Sequence, residues 1–344
     1  MIQANDQTSA MLFKTDDEVF KLIVPADHHF RKLKALIDFN ELTFPLRKLY
    51  GQEGNAGYPV EKTFPALMLQ FWEDLSDREL EAAIKENLAI RWFCGFSLTE
   101  ATPDFSYFSK FRKRIGAKHL ANLFNQVNGR LKEYGLFGET FTFIDASAII
   151  TKNTLWEERD QALEDGLEKL NNAVVSKYAA DSQAKWGAKS KKKIWFGYKK
   201  HQAVDMRHGL ISKVAITPAN VPDFKVTKHI LPKSGMVFSD KLYDCRENNN
   251  VLKAESLHNG VIKKRSNKLK NRDLDRWLSS IRMPFEGTFA HQSRRARYRG
   301  KVKVYFQVLA ESLCHNLKKA LKILPMPAAV WTRRLSGAVC PDRP

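Results

Sequence analysis

Apolar side chains in residues 28–137 recur mainly at three- and four-residue intervals. Leu120, Leu123 and Val127 follow this spacing, and the run stops at Gly135, a residue type that commonly ends helices. Several such segments follow one another with basic residues at their ends. They predict either a helix-turn-helix-like DNA-binding unit or an ordinary helical bundle with a solvated basic face, and both interpretations stay open.

A capping box marks the start of one of these helices. Ser76 is followed three residues later by Glu79, and then by apolar Leu80 and Ile84. In this motif each of the two side chains accepts from a backbone N–H that the helix itself leaves unpaired. The sequence therefore predicts a helix directly after Ser76.

The hydrophobic pattern changes at residue 140, where β-rich runs replace the helical spacing. One run ends on Asp145, and a shorter apolar run that starts at Met236 ends on Asp240. Each run has the length and composition of a short strand. The pattern therefore predicts a carboxylate at the end of two different strands.

A hairpin and two helices complete this half of the chain. Residues 194–205 and 210–216 are β-rich and flank a turn at His208-Gly209, which predicts an antiparallel hairpin. Residues 155–175 have helical spacing and many acids, and residues 304–323 have amphipathic helical spacing.

This order of strand, hairpin, helix, strand and later helix predicts an α/β fold. We expect an RNase H-like mixed sheet core with a helical N-terminal domain and a helical insert after the first strand. The helical domain, for DNA binding or dimerisation, is expected over residues 1–137 and the catalytic domain over residues 138–324. The insert is expected at about residues 152–190, and the proline-containing residues 325–344 are expected to form a poorly ordered tail.

The chain carries a net charge of +19, from 57 Lys and Arg against 38 Asp and Glu. More than half of this excess lies in residues 261–303, which hold fourteen basic residues and three acids. Such charge suits a polyanion with many phosphates, and nucleic acid is the first candidate. An anionic membrane is the competitor, but no run reaches the ~18–20 apolar residues of a spanning helix. We expect a cytoplasmic, nucleoid-associated protein.

The two strand-end aspartates are candidate metal ligands. Asp145 and Asp240 belong to neighbouring strands in the predicted order, so their carboxylates converge where strand ends meet. Hard oxygen ligands favour Mg²⁺ or Mn²⁺, and two such ions ~3.5–4 Å apart can cleave a phosphodiester. Taken singly, either aspartate is more simply a strand-end cap or a surface ion pair. Their joint placement favours the metal site.

A two-metal site needs a third acid, which the residues alone leave open. Glu286 is preferred because it is the only carboxylate in the stretch from Arg282 to Arg294 and the arginines after it, where a DNA backbone is expected to lie. The other candidates are Glu247, Glu255, Asp273 and Asp275.

Short motifs along residues 30–323 form a recognisable set. The N-terminal ones are Leu75-Ser-Asp-Arg-Glu-Leu80, Arg91-Trp-Phe-Cys-Gly-Phe96, Pro103-Asp104 and Phe111-Arg112. The later ones are Phe143-Ile-Asp145, Phe196-Gly-Tyr-Lys-Lys-His201 with Asp205, Thr217-Pro-Ala-Asn-Val-Pro-Asp223, Ser239-Asp240-Lys241 with Tyr243-Asp244, Phe285-Glu286 and Arg297-Tyr-Arg-Gly300. With these motifs the chain resembles the DDE transposases of bacterial insertion sequences, in the group with an InsH-like N-terminal domain.

The resemblance implies a DNA transposase that binds the terminal inverted repeats of an insertion sequence and catalyses strand cleavage and strand transfer. It implies that Asp145, Asp240 and Glu286 hold two divalent ions, Mg²⁺ or Mn²⁺, which activate first water and then the freed 3′-hydroxyl. It also implies a target DNA partner and a homodimer in the synaptic complex.

Two positions depart from the family's third motif, which places a Tyr, an Arg, the Glu and a Lys along one helical region. Arg282 stands at the Arg position, but Ser279 and Ser293 occupy the Tyr and Lys positions. We expect Arg294 to substitute for the lysine, because a guanidinium group binds phosphate well. The departures keep two alternatives open: a degenerate, non-enzymatic DNA-binding protein, and an RNase H-like nuclease without strand transfer.

Basic side chains near these motifs are expected to contact the DNA backbone without reading its sequence. The alternative for each is a solvated charged surface. The set is Lys191, Lys192, Lys193, Lys199, Lys200, His201, Arg282, Arg294, Arg295, Arg297 and Arg299.

Overall fold

The computed structural model describes residues 15–51, 57–152, 171, 179–190, 193–290 and 292–324. The chain divides into two compact units, of which the second is Gly116–Lys319 and the first comprises the residues on either side. Most of the predicted helical insert and the whole predicted tail lie outside the described residues. Within the described part, no helix is long and apolar enough to cross a membrane.

The N-terminal unit is built from helices, as the apolar spacing predicts. In chain order they are α1 (Asp16–Ile23), α2 (His29–Leu36), α3 (Phe39–Thr43), a 3₁₀ helix (Phe44–Leu49), α4 (Val60–Trp72), α5 (Asp77–Glu86), α6 (Leu88–Cys94) and α7 (Phe105–Glu133). Helix α7 breaks at Gly116, whose φ is +64°, and its second half belongs to the other unit. The predicted capping box is confirmed, because the side chains of Ser76 and Glu79 each accept from the other's backbone N–H.

The second unit is organised around a mixed sheet. Its strands are β1 (Phe141–Ile150), β2 (Lys185–Ser190), β3 (Lys193–Asp205), β4 (Leu210–Pro218), β5 (Met236–Ser239) and β6 (His258–Val261). Strand β1 pairs antiparallel with β3 and parallel with β5, and β5 pairs parallel with β6. On its other edge, β3 pairs with β2 and then with β4. The β3–β4 pair is the predicted hairpin, which is confirmed.

Helices cover both faces of this sheet. They are α8 (Thr227–Ile230), α9 (Arg246–Ala254), α10 (Arg272–Ala290) and α11 (Lys301–Ile323). Because successive strand side chains point to opposite faces, β1 supplies Ile144 to one core and Ile149 to the other. Ile144 packs in a cluster with Leu252 of α9, whereas Ile149 packs in a cluster with Val304 and Val308 of α11.

Two predicted boundaries, the end of the first strand and the end of the helical insert, are wrong. Strand β1 does not end at Asp145 but continues to Ile150, because its antiparallel pairing with β3 runs as far as Ile150. The predicted insert reached residue 190, yet Lys185–Ser190 form strand β2 by pairing with the first residues of β3. Both differences come from pairing with β3, which is distant in sequence from β1.

Candidate active site

Three carboxylates that lie far apart in the sequence line one pocket of the second unit. Asp145 comes from the middle of β1, Asp240 directly follows β5, and Glu286 lies in α10. In the parallel β1–β5 pair, Ile144 is the partner of Ser239. The residue after each of these partners is an aspartate, so this register brings Asp145 and Asp240 to neighbouring positions.

Asp145 has an unusual electrostatic environment. Burial raises the pKa of its carboxyl group to about 6, and the negative charges of Asp223 and Asp240 act in the same direction. A hydrogen bond from the backbone N–H of Ala146 and the charge of Lys189 oppose this shift. A carboxylate held near other carboxylates is in the situation that a bound cation relieves.

Arg282 lies between the other two carboxylates. Its Nη1 is 3.9 Å from Asp240 Oδ1, and its Nη2 is 3.4 Å from Glu286 Oε1. Arg282 and Glu286 are four positions apart in α10, a spacing that places two side chains on the same helix face. The guanidinium carbon lies 5.7 Å from the centre of the Phe143 ring on β1. Arg282 therefore neutralises part of the negative charge of the pocket.

Comparison with known proteins identifies the family. Residues 137–317 match the Transposase DDE domain family, and residues 18–114 match the Transposase domain (DUF772) family. The transposase for insertion sequence element IS1106 of Neisseria meningitidis serogroup B is 32% identical over 241 residues, which cover 65% of this chain and 81% of that relative. The chain belongs to the DDE transposases of insertion sequences. No solved structure matches the chain.

Family membership confirms the predicted fold class and the general function. The transposase has a helical N-terminal region, followed along the chain by an RNase H-like mixed sheet core. It is a DNA transposase, and membership implies DNA binding and the use of a divalent metal.

The donor set of the transposase pocket suits a divalent cation. Asp145, Asp240 and Glu286 offer the hard oxygen ligands that Mg²⁺ and Mn²⁺ prefer, and the pKa of Asp145 is raised by neighbouring carboxylates as well as by burial. In the described part of the chain, no three His, Cys, Asp or Glu side chains already converge on one metal position. Glu286, half exposed, contacts Arg282.

Basic side chains line the same pocket. Lys193, Arg282 and Arg294, all members of the predicted DNA-contacting set, lie in its wall together with Lys189. Arg294 directly follows Ser293 in the sequence. The transposase thus has a basic side chain in the pocket next to the position at which the lysine of the motif is expected.

Lys200 and His201 were predicted to contact DNA, but the structure buries both completely. Lys200 Nζ donates to the side chain of Gln292 at 2.9 Å and to the Ser293 carbonyl at 3.3 Å, and His201 Nε2 lies 2.8 Å from the Thr217 hydroxyl. Burial lowers the pKa of Lys200 to about 8 and that of His201 to about 4. A side chain without exposed surface cannot contact a phosphate. Lys200 instead anchors the loop that follows α10.

Lys199 is largely engaged inside the transposase. Its ammonium group donates to Asp223 Oδ1 at 2.8 Å and to the Val221 carbonyl at 2.9 Å, and its side chain is 14% exposed. The other members of the set stay predictions: Arg295, Arg297 and Arg299 lie in the described part of the chain, and Lys191 and Lys192 lie outside it.

Among the polar residues of the pocket wall, sequence reasoning missed Asp223 and Tyr243. Asp223 and Tyr243 stand within motifs that carry the family resemblance, but a single sequence assigns them no role. The Tyr243 hydroxyl is buried and has no hydrogen-bond partner among the described residues. Burial raises its pKa, and the charge of Asp223 adds most among its carboxylate neighbours.

Proposed function

We propose that the transposase binds the terminal inverted repeats of its insertion sequence and carries out strand cleavage and strand transfer in this pocket. Asp145, Asp240 and Glu286 are the proposed catalytic residues. The observation that carries the proposal is that these three acids, from two strands and a helix, line one pocket with basic side chains in its wall.

Asp145, Asp240 and Glu286 would hold two divalent ions, Mg²⁺ or Mn²⁺. Such ions, when bound, activate a water or hydroxyl nucleophile and stabilise the attacking and leaving oxygens of a phosphodiester. Asp145 must be ionised to serve as a ligand. With a pKa of about 6, it is ionised at neutral pH.

The basic wall positions the DNA backbone against these acids. Lys189, Lys193 and Arg294 supply positive charge where the scissile phosphate enters, and Arg294 takes the place of the family lysine. Arg282 offers guanidinium N–H groups, which bind phosphate in a forked geometry. Strand transfer of two element ends requires both ends in one complex, and we propose that two copies of the transposase hold them.

The test is a cleavage and joining assay. The full-length protein is incubated with Mg²⁺ and a labelled duplex that carries the ends of its own element, beside Asp145→Ala and the control Asp275→Ala, which alters a buried carboxylate outside the pocket. We expect nicked and joined products from the wild type and the control only.

Each other outcome has its own meaning. Equal products from Asp145→Ala would remove Asp145 from the mechanism. Nicked DNA without joined products would favour the nuclease alternative. Binding without any cutting would favour a degenerate DNA-binding protein, the alternative raised by Ser279 and Ser293.

A further inference from the structure

A fourth carboxylate stands in the wall of the active-site pocket. Asp223 begins the 3₁₀ helix Asp223–Val226 after β4, and its side chain lines the same pocket as Asp145 and Asp240. Its side chain is only 12% exposed. Asp223 therefore faces the same space as the acids that the proposed function already includes.

Tyr243 independently indicates that a polar group binds in this part of the pocket. Tyr243 is 1% exposed and lines the pocket, and its buried hydroxyl has no hydrogen-bond partner in the described part of the chain. Buried hydroxyl groups in folded proteins are normally hydrogen-bonded, because an unpaired one has lost its water without gaining another partner. Asp145, Asp223 and Asp240 line the same pocket as Tyr243.

Lys199 currently compensates the charge of Asp223. The Lys199 ammonium lies 2.8 Å from Asp223 Oδ1 and is itself 14% exposed. A buried carboxylate needs such a partner, since desolvation of an unpaired charge is costly. A single positive charge on a flexible side chain is a weaker partner for several acids than a divalent ion.

We propose that Asp223 is a fourth carboxylate of the divalent-cation centre, that Lys199 holds it in place until a cation binds, and that the Tyr243 hydroxyl hydrogen-bonds to the oxygen shell of that cation. This inference rests on the proposed function. The competing interpretation is that Lys199 and Asp223 form an ordinary structural ion pair that fastens the turn after β4.

The two interpretations predict opposite effects of Lys199. If the ammonium competes with the cation for Asp223, its removal leaves cation binding intact or stronger. If the pair only stabilises the turn, removal of either partner disturbs the pocket in the same way. Lys199→Met and Asp223→Asn therefore separate them.

The experiment is isothermal titration of Mn²⁺ into the metal-free full-length protein. We expect Asp223→Asn to weaken Mn²⁺ binding about 10–100-fold, and Lys199→Met to bind Mn²⁺ as tightly as the wild type or more tightly. Asp275→Asn is the matched control, because Asp275 is 11% exposed and pairs with Lys270 at 2.9 Å outside the pocket. It is expected to bind like the wild type.

A double variant keeps the test decisive if Asp223→Asn alone misfolds. Replacing both partners, as Asp223→Asn with Lys199→Met, leaves no unpaired buried charge, and we expect it to fold and to bind Mn²⁺ as weakly as Asp223→Asn. Wild-type affinity in this folded double variant overturns the inference. Equal weakening by Lys199→Met and Asp223→Asn also overturns it.

Asp145→Asn distinguishes this inference from the proposed function. If Asp145→Asn loses Mn²⁺ binding while the Asp223 variants keep it, the proposed function is supported and the inference about Asp223 is wrong. If the wild type binds no Mn²⁺, with or without DNA, the proposed function and the inference about Asp223 are both wrong.

Discussion

At the scale of single residues, the negative charge of Asp145 lowers the stability of the metal-free protein. Asp145 is held among buried groups and other acids, so its ionised form is disfavoured in the folded protein without a cation. Its pKa of about 6 lies above the ~3.9 of an unfolded chain. The folded state therefore binds the proton more tightly than the unfolded state does, and stability falls as the pH rises from about 4 to about 6.

The fall in stability with rising pH leads to a prediction for the metal-free protein. We expect Asp145→Asn to raise the free energy of unfolding at pH 8 by about 1–3 kcal/mol, because the asparagine removes the disfavoured charge. The gain shrinks towards zero near pH 4, where Asp145 is protonated. Urea denaturation at both pH values with a chelator present measures it. An unchanged or lowered stability at pH 8 contradicts the assigned pKa.

Lys200 and Arg294 each lie in a run of basic residues, but they differ in burial and in their contacts. Lys200 is buried and holds the loop after α10, whereas Arg294 in that loop lines the pocket. Each phosphate contact adds about one counterion to the salt dependence of DNA binding.

We therefore expect different salt dependences. Arg294→Ala lowers the slope of log affinity against log salt concentration by about 1, whereas Lys200→Met leaves the slope unchanged. Fluorescence anisotropy with a labelled element end measures both. Arg276→Ala is the control, since Arg276 is on α10 with an 83% exposed side chain and does not line the pocket. A lowered slope for Lys200→Met contradicts its internal role.

At the scale of elements, the position of Asp145 depends on close pairing between β1 and β3. Gly197 is the partner of Ile150 and has a φ of +150°. A Cβ atom added at Gly197 would lie 2.0 Å from the Ile149 carbonyl oxygen. The two strands approach here so closely that only glycine fits.

This contact predicts a large effect of Gly197→Ala. We expect it to lower the free energy of unfolding by about 3 kcal/mol or more, because backbone atoms must separate. Gly129→Ala is the matched control: Gly129 lies in α7, and apart from its chain neighbours and the adjacent helix backbone no atom lies within 4 Å of an added Cβ. Alanine favours a helix by about 1 kcal/mol over glycine. Similar stabilities of the two variants in urea denaturation contradict the close approach.

At the scale of the whole molecule, stability and cation binding are linked. A ligand that binds only the folded state stabilises it by about 2.7 kcal/mol at a concentration 100-fold above its Kd. The wild type is therefore expected to melt at a higher temperature as Mn²⁺ increases, and Asp240→Asn is expected to lose most of this shift. Thermal denaturation across a Mn²⁺ series measures it. Equal shifts in both proteins place the bound ion outside the pocket.

The sequence by itself determined the local features of this transposase and its family. The capping box at Ser76, the β3–β4 hairpin and the strand before Asp240 depend on neighbouring residues, so their patterns predict them correctly. The short motifs likewise identify a DDE transposase, since they concern the kinds of residues and not their surroundings.

Only the tertiary structure decided which side chains the pocket receives. Lys200 and His201 lie in β3, which is paired on both edges and covered on both faces, so the basic run there is buried although its residues are polar. Asp145 lies within β1 because β3 extends that strand, and Asp223 reaches the pocket because the turn after β4 packs beside it. Each of these outcomes depends on contacts between segments that are distant in sequence, which a local pattern does not contain.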